Sequence, residues 1–289
     1  MRSVVFLGTP APAAVALRAL VGAGIDVPLV ISRPDRRRGR GAAVAPSPLK
    51  RAALDLGLPV SERAADAASA GAPLGVVVAY GRIIARPVLE ALPMVNIHFS
   101  LLPRWRGAAP VERAVLAGDA ETGVCLMALE EGLDTGGVYR RWSTPIGPDE
   151  TVDELRGRLA EHGAAMLVDA LASGLGLAEP QAGEATYAAK IEPAELYLDW
   201  TRPARELSRV VRLGRAWTTW RGRRLLVLAS TVALPAALDA APGVIVEGKV
   251  ITGRGALRLL RVQPEGKGPV AAADWLRGAR VQPGEALGS

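Results

Sequence analysis

The sequence has few of the residues on which disulfide frameworks and metal centres depend. Its 289 residues include one cysteine, Cys125, and two histidines, His98 and His162. A single cysteine excludes an internal disulfide and any metal site with several thiolate ligands. No cluster of His, Cys and carboxylate residues has the spacing of metal ligands, so we expect no metal.

Long apolar runs and nucleotide-binding motifs are also missing. No run reaches the about 20 apolar residues that a membrane span needs. The first residues, MRSVVFLGTP, have too short an apolar stretch for a signal peptide. The turn FLGTPAP lacks the G-x-G-x-x-G spacing, and nothing matches a P-loop. These absences disfavour hydride transfer and phosphoryl transfer, and they predict a cytoplasmic protein without a membrane partner.

Positive charge is concentrated in the last third of the chain. From Lys190 onward there are 16 basic and nine acidic residues, whereas residues 1–185 hold 19 basic and 20 acidic ones. The net charge of +6 therefore comes from the C-terminal part. Such asymmetry favours a polyanionic partner such as nucleic acid, although a solvated arginine-rich surface gives the same balance.

The order of apolar runs predicts two domains. SVVFLG, VPLVIS, LGVVVAYG and MVNIHFS read as strands that alternate with helical stretches, which is typical of an α/β domain with a mostly parallel sheet. A long helix follows Thr151, whose capping-box partner is Glu154. Shorter strands near the C-terminus, separated by glycine and proline, indicate a small β-barrel. We expect a domain over 1–185, a linker over 186–203 and a second domain over 204–289.

One predicted strand has polar side chains on a single face. In NIHFSLLPRWRGAAP, strand alternation places Asn96, His98 and Ser100 on one side. An amide and an imidazole held on stiff backbone can stabilise an oxyanion that develops on a carbonyl. A hydrogen-bonded core histidine beside a structural asparagine is the alternative.

A carboxylate in a glycine-rich loop is the second candidate. Asp134 lies in GLDTGG between two predicted strands, where small neighbours let a substrate approach. A loop aspartate that bonds its own backbone has the same appearance. His162 lies on the predicted solvent face of the long helix, and we assign it no function.

An arginine cluster follows the second predicted strand. RPDRRRGRG contains Arg33, Arg36, Arg37, Arg38 and Arg40 within eight residues, flanked by glycine. This composition predicts a mobile cationic loop suited to phosphate contacts. A merely solvated loop is the alternative.

These motifs together resemble the 10-formyltetrahydrofolate-dependent formyltransferases. The resemblance is carried by VVFLGTP, RPDRRRGRG, VVVAYGRI, NIHFSLLPRWRGAAP, GLDTGG and TYAAKI, and it covers essentially the whole chain. The RGAAP segment, the arginine loop and the basic C-terminal part are most similar to members that formylate methionyl-tRNA. The resemblance implies a Rossmann-like catalytic domain followed by an OB-like barrel that carries tRNA.

The resemblance also implies roles for individual residues. The catalytic asparagine, histidine and aspartate of the family fall on Asn96, His98 and Asp134. The expected contacts with the co-substrate 10-formyltetrahydrofolate are Ser100, Leu101, Leu102, Pro103, Tyr80 and Gly81. The expected tRNA contacts are Arg40, Arg36, Arg37 and Arg38.

Three functional hypotheses stay open at this point. The first is formyl transfer to initiator methionyl-tRNA by a monomer. The second is formyl transfer to a small amine, such as a ribonucleotide or an amino sugar, which has little need for the arginine loop. The third is a tRNA-binding protein without catalysis, which does not require Asn96, His98 and Asp134.

Overall fold

The computed structural model describes residues 1–38, 43–233, 240–282 and 284–288, and the chain divides into two compact units. The first unit comprises Met1–Val111, Glu121–Pro145 and Arg156–Ala189. The second comprises Glu112–Ala120, Ile146–Leu155 and Lys190–Ser289. The domain boundaries given above stay predictions.

The strands of the first unit follow the predicted apolar runs and add several short ones. They are β1 Val5–Gly8, β2 Val30–Ser32, β3 Arg36–Arg38, β4 Ala43–Ala45, β5 Val60–Ser61, β6 Gly75–Val78, β7 Met94–His98, β8 Arg106–Gly107, β9 Glu121–Ala128, β10 Val138–Pro145 and β11 Tyr187–Ala188.

Seven of these strands form one sheet in the order β10-β9-β7-β6-β1-β2-β5. The neighbouring strands from β7 to β5 in this order pair in parallel. Strand β9 pairs antiparallel with both β7 and β10. The residues of β1, β6 and β7 are buried, as continuous apolar runs indicate for strands covered on both faces. The predicted α/β fold with a mostly parallel sheet is confirmed.

The carboxyl ends of the central parallel strands define one edge of this sheet. Gly8 of β1 pairs with Val78 of β6, and Val77 of β6 pairs with Asn96 of β7. Parallel neighbours end on the same side, so the segments after β6 and β7 leave the sheet together. These are the segments that contain Gly81 and Ser100, and His98 is the last residue of β7.

Helices connect and flank the strands. They are α1 Ala11–Gly22, α2 Pro48–Asp55, α3 Arg86–Ala91, α4 Pro110–Ala117, α5 Val152–Ser173, α6 Ala204–Val211 and α7 Ala272–Gly278, with 3₁₀ helices at Ala64–Ser69 and Pro193–Leu196. The predicted capping box of α5 is present: Thr151 N–H donates to Glu154 Oε2 at 2.8 Å, and Glu154 N–H donates to Thr151 Oγ1 at 3.2 Å. No helix in the described ranges is long and apolar enough to cross a bilayer.

The second unit contains the β-rich domain that the C-terminal sequence predicts. Its strands are β12 Trp217–Trp220, β13 Arg223–Ala233, β14 Ile245–Val246, β15 Lys249–Ile251, β16 Ala256–Pro264 and β17 Val270–Ala271. They form an antiparallel sheet in the order β12-β13-β16-β15-β14, with β17 on β16. Its core includes Trp200, Leu207, Val227 and Trp275.

The arginine segment forms a hairpin at its base. β3 and β4 pair antiparallel, with Arg36 opposite Ala45. Lys50 anchors the approach to the hairpin, since its Nζ lies 2.9 Å from Asp35 Oδ1 and 3.0 Å from Glu62 Oε1. Backbone pairing therefore flanks residues 39–42, which lie outside the described residues, and the mobility of the predicted cationic loop stays a prediction.

Candidate active site

Strand β7 presents the two polar residues that the sequence predicts. Asn96 and His98 are 8% and 5% exposed, within a strand whose five residues are all buried. They are two residues apart and share one face. On the neighbouring β9, Met127 lies opposite Asn96 and Cys125 opposite His98. Burial raises the pKa of the Cys125 thiol, which keeps it protonated and unreactive at neutral pH.

The strand ends earlier than the sequence predicts. β7 stops at His98, so the alternation does not reach Ser100. Ser100 lies in the following turn, where its hydroxyl donates to the Arg104 carbonyl at 2.6 Å. The prediction that Ser100 shares the face of Asn96 stays a prediction. Ser100 Oγ and His98 Nε2 both approach the Trp105 carbonyl oxygen, at 3.5 and 2.9 Å, because the chain turns to bring Trp105 back toward β7.

His98 contacts a carbonyl on one side and a carboxylate on the other. Its Nε2 lies 2.9 Å from the Trp105 carbonyl oxygen, and its Nδ1 lies 3.6 Å from Asp134 Oδ2. A carbonyl only accepts, so Nε2 must carry a hydrogen. Nδ1 is then the ring nitrogen that faces the Asp134 carboxylate.

The turn before Gly107 places a backbone donor on Asp134. The Gly107 N–H donates to Asp134 Oδ2 at 2.7 Å, and the Asp134 side chain is 13% exposed. Gly107 has φ +120°, and a Cβ there would lie 2.9 Å from the Ala188 carbonyl oxygen. Only glycine fits this close approach, which sets the direction of the N–H.

Glycine in the GLDTGG loop is required by packing. A Cβ on Gly136 would lie 2.0 Å from the Ala128 carbonyl oxygen, so the loop lies directly against the end of β9. Asp134 itself adopts φ +51°, a left-handed conformation that aspartate tolerates better than most residues. The loop is thus a compact support for the carboxylate.

The residues predicted to contact folate occupy different environments. Gly81 is exposed, and Leu101 and Pro103 are partly buried. Leu102 is 3% exposed and packs with Cys125 and Met127, and Tyr80, also 3% exposed, packs in another apolar cluster. Tyr80 and Leu102 therefore leave little of their surface open to a ligand.

Only some of the predicted tRNA contacts fall in the described part of the chain. Arg36 and Arg37 are exposed on β3. Arg38 ends that strand, and its side chain is outside the described residues, as is all of Arg40. His162 is exposed and stacks on Trp142, with ring centroids 3.8 Å apart, which is a surface packing role.

The sequence did not indicate the residues that support the site from a distance. Thr186 Oγ1 accepts from the Trp105 N–H at 2.9 Å. Gln181 donates to the Asp134 carbonyl at 2.8 Å and accepts from Arg106. Gln181 lies just before the predicted linker of residues 186–203 and Thr186 begins it, in a stretch without apolar periodicity, so no sequence pattern pointed to them. In the described part of the chain, no group of His, Cys, Asp and Glu is arranged to hold a metal ion.

Comparisons with known proteins agree with this architecture. The family model described as formyl transferase matches residues 1–171, and the model described as formyl transferase, C-terminal domain, matches residues 190–280. A methionyl-tRNA formyltransferase of Symbiobacterium thermophilum is 45% identical over 309 residues, covering 98% of this chain and 94% of the relative. One of Paracoccus denitrificans is 47% identical over 291 residues, covering 95% of this chain and 97% of the relative.

The fold also occurs in a solved structure. HypX from Aquifex aeolicus in complex with tetrahydrofolic acid matches with a TM-score of 0.64 and 17% identity, over 96% of this chain and 47% of HypX. At that identity the match concerns the fold. The first family model covers more than half of the chain, and both relatives match over nearly their whole lengths. The chain therefore belongs to the formyl transferase family.

Proposed function

We propose that this protein transfers the formyl group of 10-formyltetrahydrofolate to the α-amino group of initiator methionyl-tRNA. The observation that carries the proposal is the buried pair Asn96 and His98 on β7, with the partly buried Asp134 carboxylate of the GLDTGG loop 3.6 Å from His98 Nδ1. The similarity to methionyl-tRNA formyltransferases over almost the whole chain supports the acceptor.

The reaction is an acyl transfer between two nitrogen atoms. The neutral α-amino group attacks the formyl carbon, and a tetrahedral intermediate forms as the carbonyl oxygen takes the negative charge. The bond from that carbon to the folate nitrogen then breaks, and the proton lost by the amine passes to the leaving nitrogen. A free α-amino group titrates at about 7.7–8.0, so little help is needed to deprotonate it.

The three side chains divide this chemistry. Asn96 donates its amide N–H to the developing oxyanion, a type of contact that contributes about 3 kcal/mol. His98 has Nε2 committed to the Trp105 carbonyl, and its Nδ1 faces Asp134, which orients the ring. Asp134, held by the Gly107 N–H, accepts the proton that the attacking amine loses and passes it to the folate nitrogen as that nitrogen leaves.

Binding of the two substrates is divided between regions of the chain. The exposed backbone at Gly81 and the segment from Ser100 to Pro103 hold the folate, and HypX, of similar fold, was solved with tetrahydrofolic acid. Arg36, Arg37 and the rest of the arginine hairpin contact the acceptor end of the tRNA. The basic residues after Lys190 hold the remainder of it.

The predicted domain limits assign these tasks to separate parts. Residues 1–185 form the catalytic domain, 186–203 a linker and 204–289 the tRNA-binding domain. The protein works as a cytoplasmic monomer, in the compartment where translation begins.

A formylation assay with alternative acceptors tests this function. We expect transfer to charged initiator methionyl-tRNA and none to glycinamide ribonucleotide or an amino sugar nucleotide. His98→Ala and Asp134→Asn should each lower turnover by about 100-fold or more at unchanged melting temperature. Transfer to a small amine alone would favour the second hypothesis, and tRNA binding without transfer the third.

A further inference from the structure

Two polar side chains that the mechanism does not use support the loop of Asp134. Gln181 contacts the loop, and Arg106 contacts Gln181. Gln181 Nε2 donates to the carbonyl oxygens of Asp134 and Gly136, each at 2.8 Å. Arg106 donates to Gln181 Oε1 from Nε at 3.0 Å and from Nη2 at 2.7 Å. All four residues lie in the first unit.

Chemistry alone determines which way the Gln181 amide points. The two loop carbonyls only accept, so they require the nitrogen, and the guanidinium of Arg106 only donates, so it requires the oxygen. Both amide hydrogens and both lone pairs of the amide oxygen are thereby used. A side chain of the same size that lacked the donors would not satisfy the loop.

The loop needs this support because its conformation is unusual. Asp134 has φ +51°, and its carboxylate must stay beside His98 Nδ1 and the Gly107 N–H. The bonds from Gln181 fix the peptide planes that follow Asp134 and Gly136. They therefore determine where the Asp134 side chain points.

We propose that Gln181 is a positioning residue that holds the Asp134 carboxylate against His98, and that Arg106 orients the Gln181 amide. The inference rests on the proposed function, since it assigns Asp134 its place in formyl transfer. It gives Arg106, which lies in the NIHFSLLPRWRGAAP stretch, a role inside the protein.

The Gln181→Glu variant separates positioning from simple packing. Glutamate keeps the size and the acceptor for Arg106, but its carboxylate places an oxygen against two carbonyl oxygens. We expect kcat to fall by about 100-fold, with the KM for folate changed less than about threefold, as a displaced catalytic group predicts. Gln263→Glu is the matched control, because Gln263 also donates to a backbone carbonyl, that of Lys267 at 2.9 Å, in the second unit.

A double-mutant comparison shows whether Gln181 acts through Asp134. In an Asp134→Ala background, Gln181→Glu should lower kcat by less than about twofold, because the group it positions is gone. Arg106→Met should reproduce part of the loss in the intact protein and little of it in the same background. A general loss of stability would lower kcat equally in both backgrounds.

A spectroscopic readout does not depend on turnover. The chain has two histidines, so the imidazole resonances of His98 can be assigned by nuclear magnetic resonance with a His162→Asn variant. Gln181→Glu should shift the His98 resonances in the direction that Asp134→Asn shifts them, whereas Gln263→Glu should leave them unchanged. If Gln181→Glu is too unstable to purify, Gln181→Met takes its place in both measurements.

The possible failures are distinct. A wild-type protein without formyl transfer to methionyl-tRNA overturns the proposed function, and the His98 resonances still test the inference. An active wild type whose Gln181→Glu variant keeps more than half of kcat and unshifted His98 resonances overturns the inference alone. Equal losses in the Asp134→Ala and wild-type backgrounds also overturn it.

Discussion

At the scale of single residues, the candidate site rests on backbone conformations that side chains rarely adopt. Trp105 has φ +63°, Asp134 φ +51° and Gly107 φ +120°. A bulky residue in the left-handed region costs about 1–3 kcal/mol, so the surrounding contacts must supply that energy. The Trp105 N–H donates to Thr186 Oγ1, and the Trp105 carbonyl accepts from His98 Nε2.

Gly107→Ala should damage the site more than it damages the fold. The new Cβ would meet the Ala188 carbonyl and turn the N–H away from Asp134, so we expect turnover to fall by about 10-fold to 100-fold. Steady-state kinetics and thermal melting measure the two effects. Gly183→Ala is the control: Gly183 has φ +99°, and a Cβ there meets nothing within 4 Å. Equal turnover in the two variants would contradict the role given to Gly107.

Strand alternation was enough to predict how Asn96 and His98 are placed but not the contacts that support the candidate site. Asn96 and His98 share a face because they are two apart in a strand, which a local pattern encodes. The bond between Trp105 and Thr186 joins residues 81 apart, and that between Arg106 and Gln181 joins residues 75 apart. Such contacts between groups that are far apart in the sequence leave no periodic pattern in it.

At the scale of elements, short helices are held by ionic contacts from distant segments. In the second unit, Arg113 of α4 binds both carboxylate oxygens of Glu195, at 2.5 and 3.1 Å, in the 3₁₀ helix Pro193–Leu196. This hydrogen bonding, together with the Glu192 N–H, lowers the pKa of Glu195. The linkage predicts a dependence of stability on pH.

Arg113→Gln should destabilise the protein at neutral pH and much less in acid. A lowered folded-state pKa stabilises the protein above the unfolded value of about 4.3, and that contribution is lost as pH falls through the folded value. Because the Glu195 side chain is 36% exposed, we expect about 1 kcal/mol or less at pH 7. Urea unfolding of the wild type and the variant at neutral pH and at about pH 3 measures the difference in their free energies of unfolding.

A second ion pair provides the comparison for this prediction. Arg202→Gln removes an exposed pair one helical turn apart, with Arg202 Nη2 2.7 Å from Glu206 Oε2. Such pairs contribute about 0.3–0.5 kcal/mol, so its loss should be the smaller one at pH 7. A difference for Arg113→Gln that stays constant into acid would show that Glu195 is not its source.

At the scale of the whole molecule, composition and function agree. The seven-stranded sheet holds the candidate site at one edge, and the antiparallel unit carries the positive charge that the sequence places after Lys190. The order of strands and helices was predictable because each is a local apolar pattern. The β3–β4 hairpin was not, since three successive arginines have no strand pattern of their own.

Binding of tRNA should weaken as the salt concentration rises, and the steepness of this dependence should report the number of arginine–phosphate contacts. Each phosphate contact removed should flatten the slope of log Kd against log salt concentration by about one. We therefore expect a flatter slope for the Arg36→Ala/Arg37→Ala double variant, measured by filter binding over a salt series. Arg18→Ala is the control, because Arg18 is an exposed arginine 3.6 Å from Asp55. An unchanged slope in the double variant would favour the alternative that these arginines are only solvated and do not contact tRNA.

Two of the groups that hold the catalytic side chains belong to the backbone: the Trp105 carbonyl and the Gly107 N–H. A substitution at Trp105 exchanges the side chain and keeps the carbonyl, whereas one at Gly107 turns the N–H, because a Cβ there meets the Ala188 carbonyl. The hydrogen on His98 Nε2 therefore keeps its acceptor when the residue at position 105 changes, as long as the chain keeps its path. The indole of Trp105 can be varied without changing which nitrogen of His98 faces Asp134.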